Sequence, residues 1–424
     1  MAELAIRTAM TKLGGSLLER LLELDTGYCG PRTDCGNGHQ AEFQGYRGKI
    51  VDTVLGPVHL HRAYYSCHQC HHGRFPIDQK LGVGDSSLSP GLRRMVARLG
   101  SQEAFDQAHR DLAELAGIQL TGKRVERSSE ADGERVRVAI EQQAEAAISG
   151  KVVPLLCHRE PIPNLYIAMD GTGVPTVPAD TEGRRGKSPD GRAHTREVKL
   201  GCLFTQTIVD ERGHPVRDPG TSSYIASMDT AAGFGSLLYS EARQRGLSQA
   251  QRVIALGDGA PWIWNLAGEH FPQAIPVTDL YHAKEHLHGL ARLVFPVTTE
   301  ESRGWLAARL AELDRGDIDK LLFAGRHLRC PDSQMEEVEK ALGYFEANRQ
   351  RMRYSYFRGL GIFVGSGAVE AGCRTVVAQR MKLSGMRWSV RGAAAIVSLR
   401  AQASSGPTRW QEIWQWLPYQ TTVA

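Results

Sequence analysis

With 424 residues, 42% of them apolar, the chain is long enough for two or three domains with their own cores. Its net charge of +4 is a mild excess, so where the cations lie matters more than their number. The chain has no apolar run of about 18 residues and no charged-then-apolar leader at Met1, which argues against a membrane span and a secretory signal. The cytoplasm is therefore the expected location.

Eight cysteines in such a compartment argue against a disulfide framework, and four of them fall within the first 70 residues, which points to metal. After an amphipathic stretch from Ala5 to Leu24 comes Cys29, then Cys35 and His39, then Cys67-x2-Cys70. Two thiolates three positions apart can take adjacent corners of a tetrahedron without straining the turn. Cys35, His39, Cys67 and Cys70 make a closed structural zinc site, with Cys29 the rival to His39, and His68, His71 and His72 as neighbours that could substitute. Between the halves, residues 45–65 read as a hairpin turning at Gly56-Pro57. Residues 1–85 are thus expected to form a zinc-ribbon-like module.

From Ser89 to Gly150 the apolar period lengthens to that of a helix. Phe105, Ala108, Leu112 and Leu115 mark one face, Ala116-Gly117 ends it, and a second helix beginning near Thr121 carries Lys123, Arg124 and Arg127. Helix, Gly-containing turn and basic helix give a helix-turn-helix-like, DNA-binding outline for residues 86–153, although interleaved acids fit an ordinary solvated pair equally well. Gly133 to Gly150 reads as a connecting helix, and Pro154 to Pro163 as a linker.

The next stretch carries the chemistry. Leu165 to Val174 reads as a buried strand delivering Asp170 into a Gly-flanked turn. Pro178 to His194 reads as a mobile loop, followed by strands at Glu197–Val209 and Ser222–Met228. A helix from Thr230 to Gly246 leads to a strand at Val253–Gly257 that delivers Asp258, then a helix from Pro261 to Glu269 and a strand from Gln273 to His282. Three meandering strands followed by alternating helices and strands is the order of a ribonuclease-H-like α/β fold. In that fold the first and fourth strands are neighbours, which would join Asp170 to Asp258 across 88 positions. Residues 154–298 form the first part of this core. A helical insertion follows at 299–360, and residues 361–424 hold a helix with Glu370 near its start and a basic segment. From Ala371 to Arg400 there are six basic residues and no acid.

Clustered carboxylates repel one another and call for cations, and hard oxygen ligands select Mg²⁺ or Mn²⁺. Two such ions about 3.5–4 Å apart would serve phosphoryl transfer on nucleic acid. Each acid alone is more simply a turn residue, so the reading rests on the set. Asp279 and His282 are auxiliary candidates. Glu197 reads either as a further carboxylate or as half of a surface pair with Lys199. Arg374, Arg380, Lys382, Arg387 and Arg391 are candidates for phosphates, with Trp388 as a stacking platform or a core anchor.

These residues carry a resemblance. Asp170-Gly-Thr-Gly-Val-Pro, Arg196-Glu-Val-Lys-Leu-Gly, Gly257-Asp-Gly-Ala, Asp279-Leu-Tyr-His-Ala-Lys-Glu-His, Gly365-Ser-Gly-Ala-Val-Glu-Ala and Arg380-Met-Lys-Leu-Ser-Gly-Met-Arg-Trp388 resemble bacterial insertion-sequence DDE transposases of the ISKra type. The likeness extends to Thr53-Val-Leu-Gly-Pro-Val and Ala63-Tyr-Tyr-Ser-Cys-His-Gln-Cys. It departs at Asn37, where such proteins often carry a second Cys. The resemblance implies that Asp170, Asp258 and Glu370 are a catalytic triad that cuts and rejoins the ends of a mobile element. Such a protein binds element ends and target DNA, uses two Mg²⁺ or Mn²⁺ ions beside a structural Zn²⁺, and works as a dimer or larger assembly. The alternatives are a ribonuclease-H-like nuclease that does not join strands, and a catalytically silent DNA-binding protein derived from a transposase.

Overall fold

The computed structural model describes residues 2–151, 162–186, 188–295, 297, 299–328 and 330–416, with the side chains of Asp332 and Trp416 excepted. They form two compact units, residues 1–136 with 407–424, and residues 137–406. The expected segments 1–85 and most of 86–153 fall in the first unit; 154–298, 299–360 and the third up to Gly406 fall in the second. The expected linker lies outside the described residues, apart from Ile162 and Pro163, which begin a strand.

The first unit opens with helix α1 (Ala2–Glu23). Leu18 and Leu22 pack it against Val51, Val58 and Leu60, and Gly15 lets it approach so closely that a Cβ there would lie 2.9 Å from the Leu55 carbonyl oxygen. Beneath it is a four-stranded antiparallel sheet in sequential order, β1 (Arg32–Asp34), β2 (Gln40–Thr53), β3 (Gly56–Ser66) and β4 (Gly73–Arg74). The long hairpin turns through Val54-Leu55, two residues before the expected Gly56-Pro57, and Gly56 supplies the positive φ of +95° that closes it.

Helices α2 (Pro76–Leu81), α3 (Pro90–Gln102) and α4 (Phe105–Asp111) follow, then α5 (Gly122–Ile148), which runs on into the second unit. Leu88, Leu92, Val96, Ala108, Leu112 and Val125 form their core. Leu115 does not join it and is 69% exposed. The α4 helix passes into a π-helical turn at Leu112–Ala116, which rotates Leu115 away from the expected face. Buried Arg93 on α3 is neutralised by Asp132 on α5.

The second unit is built on a five-stranded mixed sheet, giving a mixed α/β architecture. Its strands are β5 (Ile162–Pro175), β6 (Thr195–Gln206), β9 (Ser223–Ser227), β10 (Ala250–Gly257) and β11 (Ile275–Thr278), in the order β11-β10-β5-β6-β9. A separate ribbon, β7 (Ile208–Val209) with β8 (Pro215–Val216), lies between β6 and β9. The pairs β5–β6 and β6–β9 are antiparallel, whereas β5–β10 and β10–β11 are parallel.

Helices cover both faces. Successive strand residues point to opposite sides. Gly201 lies beneath Leu238 of α6 (Ala231–Gln244), while its neighbour Leu200 meets Gly372 of α13 (Gly367–Gly372). The apolar runs 165–169 and 254–256 are accordingly almost wholly buried, as a strand covered on both sides demands. Between β10 and β11 lies α7 (Pro261–His270). Beyond β11 come α8 (Leu280–Val294), α9 (Glu300–Arg315), α10 (Ile318–Arg326), α11 (Met335–Asn348) and α12 (Tyr354–Gly359), the helical insertion the periodicity predicts. The α13 helix continues as a π-helix (Cys373–Ala378) into α14 (Gln379–Met381), and α15 (Val390–Ser404) ends the unit. Helix α16 (Pro407–Trp416) belongs to the first unit, where the Arg98 guanidinium lies over the Trp410 ring.

Candidate active site and metal centre

Asp170 and Asp258 stand at the same level on adjacent parallel strands. The register pairs Leu256 with Ala168, so two further residues along each chain reach the two acids. Each carboxylate accepts from a backbone N–H that follows it; Asp258 stands in the turn after β10, whereas Asp170 lies within β5 rather than in the expected Gly-flanked turn, because residues 170–175 go on pairing with β6. Asp170 Oδ1 accepts from the Gly171 N–H at 2.7 Å, and Asp258 Oδ1 from the Ala260 N–H at 2.9 Å. Gly259 carries φ +106°, and a Cβ there would strike the Tyr344 ring. Tyr344 in turn donates its hydroxyl to the Asp258 carbonyl at 2.8 Å, so the helical insertion braces this turn.

The Glu370 helix reaches Asp170 through a neighbouring side chain. Cys373, one turn beyond Glu370, donates its thiol to Asp170 Oδ2 at 3.2 Å. Glu370 Oε1 accepts from the Ser366 hydroxyl at 2.7 Å. Asp279 is fully buried: one of its oxygens caps α8 by accepting from the His282 N–H, and the other accepts the Ser366 N–H. Asp279 is thus a positioning residue that ties the start of α8 to the start of the Glu370 helix. The expected strand through His282 ends at Thr278 because this cap starts the helix at Leu280. Tyr281 is 64% exposed, and the His282 charge acts on Asp170. Glu197 pairs with Lys199 at 3.0 Å, the surface pair that was one of its two readings.

Burial lifts the Asp170 carboxyl above its ordinary range. The Cys373 thiol and Gly171 N–H oppose this, and the Asp258 charge reinforces it. A divalent cation between these oxygens would offset both penalties, so the donor set fits a hard ion, with Asp170, Asp258 and Glu370 as its holders. The three acids are not drawn into a compact ligand cluster in the ion-free chain. Among the described residues, that closeness belongs to the cysteine site.

There, Cys35, His39, Cys67 and Cys70 bring their ligand atoms within 4.8 Å of one another. The Cys70 and Cys35 sulfurs are 3.7 Å apart, close to the edge of about 3.8 Å in a tetrahedron with Zn–S bonds of about 2.3 Å. His39 Nδ1 is buried without a hydrogen-bond partner, as a waiting ligand would be. The His72 backbone N–H leads in pulling the Cys70 thiol down to about 7, so much of it is thiolate at neutral pH. This group could hold a zinc ion. Cys29 lies outside it, with its thiol turned to the Gly27 carbonyl, and His68 faces Glu42 at the surface.

The candidate DNA contacts divide. Arg374, Lys382, Arg387 and Arg391 are exposed. Arg380 and Trp388 are not. Arg380 is fully buried over the Trp388 ring, and burial lowers its guanidinium to about 10. Trp388 is 5% exposed, its indole N–H donates to the Met381 carbonyl, and its backbone bridges to Thr176. The structure therefore makes it a core anchor with no face free for a base. On α5, Lys123 pairs with Glu126 and Arg124 with Asp52, while Arg127 is exposed. Ser366, Cys373 and Tyr344 were not anticipated. Ser366 and Cys373 stand four before and three after Glu370, a helical spacing visible in the sequence; Tyr344 gave no such signal.

Comparison with known proteins finds no family model and no curated protein that matches this chain. Among the described residues no helix is long and apolar enough to cross a membrane.

Two outcomes follow from the geometry. Purified protein is expected to carry about one zinc per chain by atomic emission, lost in Cys70→Ser and kept in Cys29→Ser; zinc lost from Cys29→Ser alone would contradict the ligand set. For Asp170, a carboxyl raised in the folded state costs stability as pH rises from the ordinary value of 3.8 towards the raised one. Ion-free Asp170→Asn should thus melt no lower than wild type at neutral pH, and Mn²⁺ should raise the Tm of wild type only. A lower melting point for the ion-free variant would remove the electrostatic argument.

Proposed function

We propose that this chain is a metal-dependent DNA transposase with a ribonuclease-H-like catalytic core, acting in the cytoplasm on nucleoid DNA. One observation carries the reading. Two acids stand at one level on neighbouring parallel strands, Asp170 within β5 and Asp258 just past the end of β10, and a third stands on a helix whose next turn touches the first acid. The sheet order, with an antiparallel meander and then two parallel strands, supports the fold assignment. The five exposed cations after Glu370 and on α5 (Arg374, Lys382, Arg387, Arg391 and Arg127) supply charge for phosphates.

When bound, divalent ions would make a water or 3′ hydroxyl a better nucleophile and stabilise the leaving oxygen. The protein's part is to hold carboxylates at fixed positions. Gly171 and Ala260 N–H groups orient the two aspartates, Ser366 orients Glu370, and Asp279 fixes Ser366. In this reading His282, whose charge would act on Asp170, takes the auxiliary role of meeting a scissile phosphate. In strand-cleavage assays on labelled DNA carrying the ends of the encoding element, wild type should cut and join in Mg²⁺ or Mn²⁺ and not in chelator. Asp170→Asn, Asp258→Asn and Glu370→Gln should each lose at least about a hundredfold in rate while still binding DNA. Cutting that survives any of the three would overturn the triad, and cutting without joining would make the protein a nuclease.

Holding two element ends calls for two copies. On α1, Ile6, Met10, Leu13, Leu17 and Leu21, with Leu24 just beyond its end, form a stripe opposite the docked face, each more than half exposed. The helix has three acids and three bases, without the cationic excess of a membrane-surface helix. An antiparallel second copy would set Glu3 against Arg20 and Met10 against Leu13. A dimer by light scattering that becomes monomeric in Leu13→Asp/Leu17→Asp is expected; a monomeric wild type would contradict it.

A further inference from the structure

The loop between β5 and β6 is not shapeless. Residues 184–186 and 191–193 pair as two short arms, with an Arg185–Arg192 bridge and hydrogen bonds from the Ala193 N–H to the Arg184 carbonyl and from the Gly186 N–H to the Gly191 carbonyl. The base of the loop is tied to the segment beyond the Glu370 helix. The Val177 N–H donates to the Trp388 carbonyl, and the Asp180 carboxylate accepts from the Val390 N–H. This clamp brings Arg387 to the same cleft as Arg184, Arg185 and Arg192, although about 200 residues of sequence intervene. The cleft has a volume of about 1180 Å³. All four guanidinium groups belong to exposed side chains; among the described residues none of them forms a salt bridge, although the Arg192 charge acts on Asp190. Glu182 also lines the cleft, and nearby Asp180 and Asp190 are already engaged with Val390 and with Arg192 N–H and His194.

Four exposed cations, on the two arms of a braced loop and on the wall facing it, outnumber the one carboxylate that lines the cleft and form a site for a polyanion with regularly spaced charges. The cleft is also placed relative to the acids. From Asp170 to Pro175 the strand advances about 17 Å at about 3.3 Å per residue. Between them, Lys382 donates to Thr172 at 2.6 Å, and Thr172 shares the strand face of Asp170. We infer that Lys382 and the cleft of Arg184, Arg185, Arg192 and Arg387 form a track for a DNA phosphate backbone, gripping it about five nucleotides from the bond at Asp170, at about 3.4 Å per nucleotide. The inference rests on the proposed function for where the cut falls, and on the cleft alone for the binding.

The test is the salt dependence of binding to a short labelled duplex of arbitrary sequence, read by fluorescence anisotropy. Arg184→Gln/Arg185→Gln/Arg192→Gln should weaken binding and lower the slope of log K against log salt by about three, close to one per phosphate contact. Arg212→Gln/Arg303→Gln/Lys340→Gln removes the same charge elsewhere and should leave the slope in place. The triple Arg→Lys variant keeps the charges and should keep the slope, which separates lost contacts from a damaged fold. An unchanged slope in the first variant, or an equal fall in the second, overturns the track. A fall in slope for a protein that never cuts DNA would keep the track and defeat the transposase reading, whereas normal cutting with an unchanged slope would do the reverse.

Discussion

The parallel pairing of β5 with β10 is the constraint on which the second unit depends. It is a non-local contact between segments some 88 positions apart, and it exists only because both strands are apolar enough to be buried on two faces. Each apolar run then gives way to an aspartate, Asp258 just past the end of β10 and Asp170 within β5, which continues to Pro175 along β6. Two partly buried carboxylates side by side are costly. The surrounding structure bears that cost through backbone amides, through Tyr344 bracing the Asp258 turn, and through the Cys373 thiol resting on Asp170. The strongly packed sheet thus holds in place an arrangement that electrostatics alone would push apart.

The latch from Asp279 through Ser366 to Glu370 extends the same logic to the third acid. Asp279 sits at the end of β11, the strand next to β10, and its two oxygens start one helix and fix the approach to another. Side chains that never touch the reacting groups therefore set where Glu370 stands. The two candidate metal sites differ in kind. The cysteine site gathers its four ligand atoms within 4.8 Å of one another, as a structural tetrahedral site requires, while the carboxylates are not gathered so closely.

Much of this was legible in the sequence, and the limits are physical. Strands and helices with long apolar periods were readable, and so was the order that places Asp170 beside Asp258. The candidate zinc cluster was readable down to the choice between His39 and Cys29, and the folded chain gathers His39, not Cys29, with the other three. Trp388 and Arg380 were not readable as core, because a basic, aromatic-bearing segment looks the same whether it faces solvent or is clamped by backbone bonds to Thr176 and Val177. The start of α8 was missed because Asp279 reads equally as a strand end and a helix cap. Leu115 was lost to a π-helical turn that periodicity cannot anticipate.

The most direct test of the account is a crystal structure of the protein with Mn²⁺, with the ion located by anomalous scattering. The account predicts manganese coordinated by oxygens of Asp170 and Asp258, with Glu370 completing the set and the Cys373 thiol displaced from Asp170. Manganese bound elsewhere, or bound at the aspartates with Glu370 turned away, would contradict it.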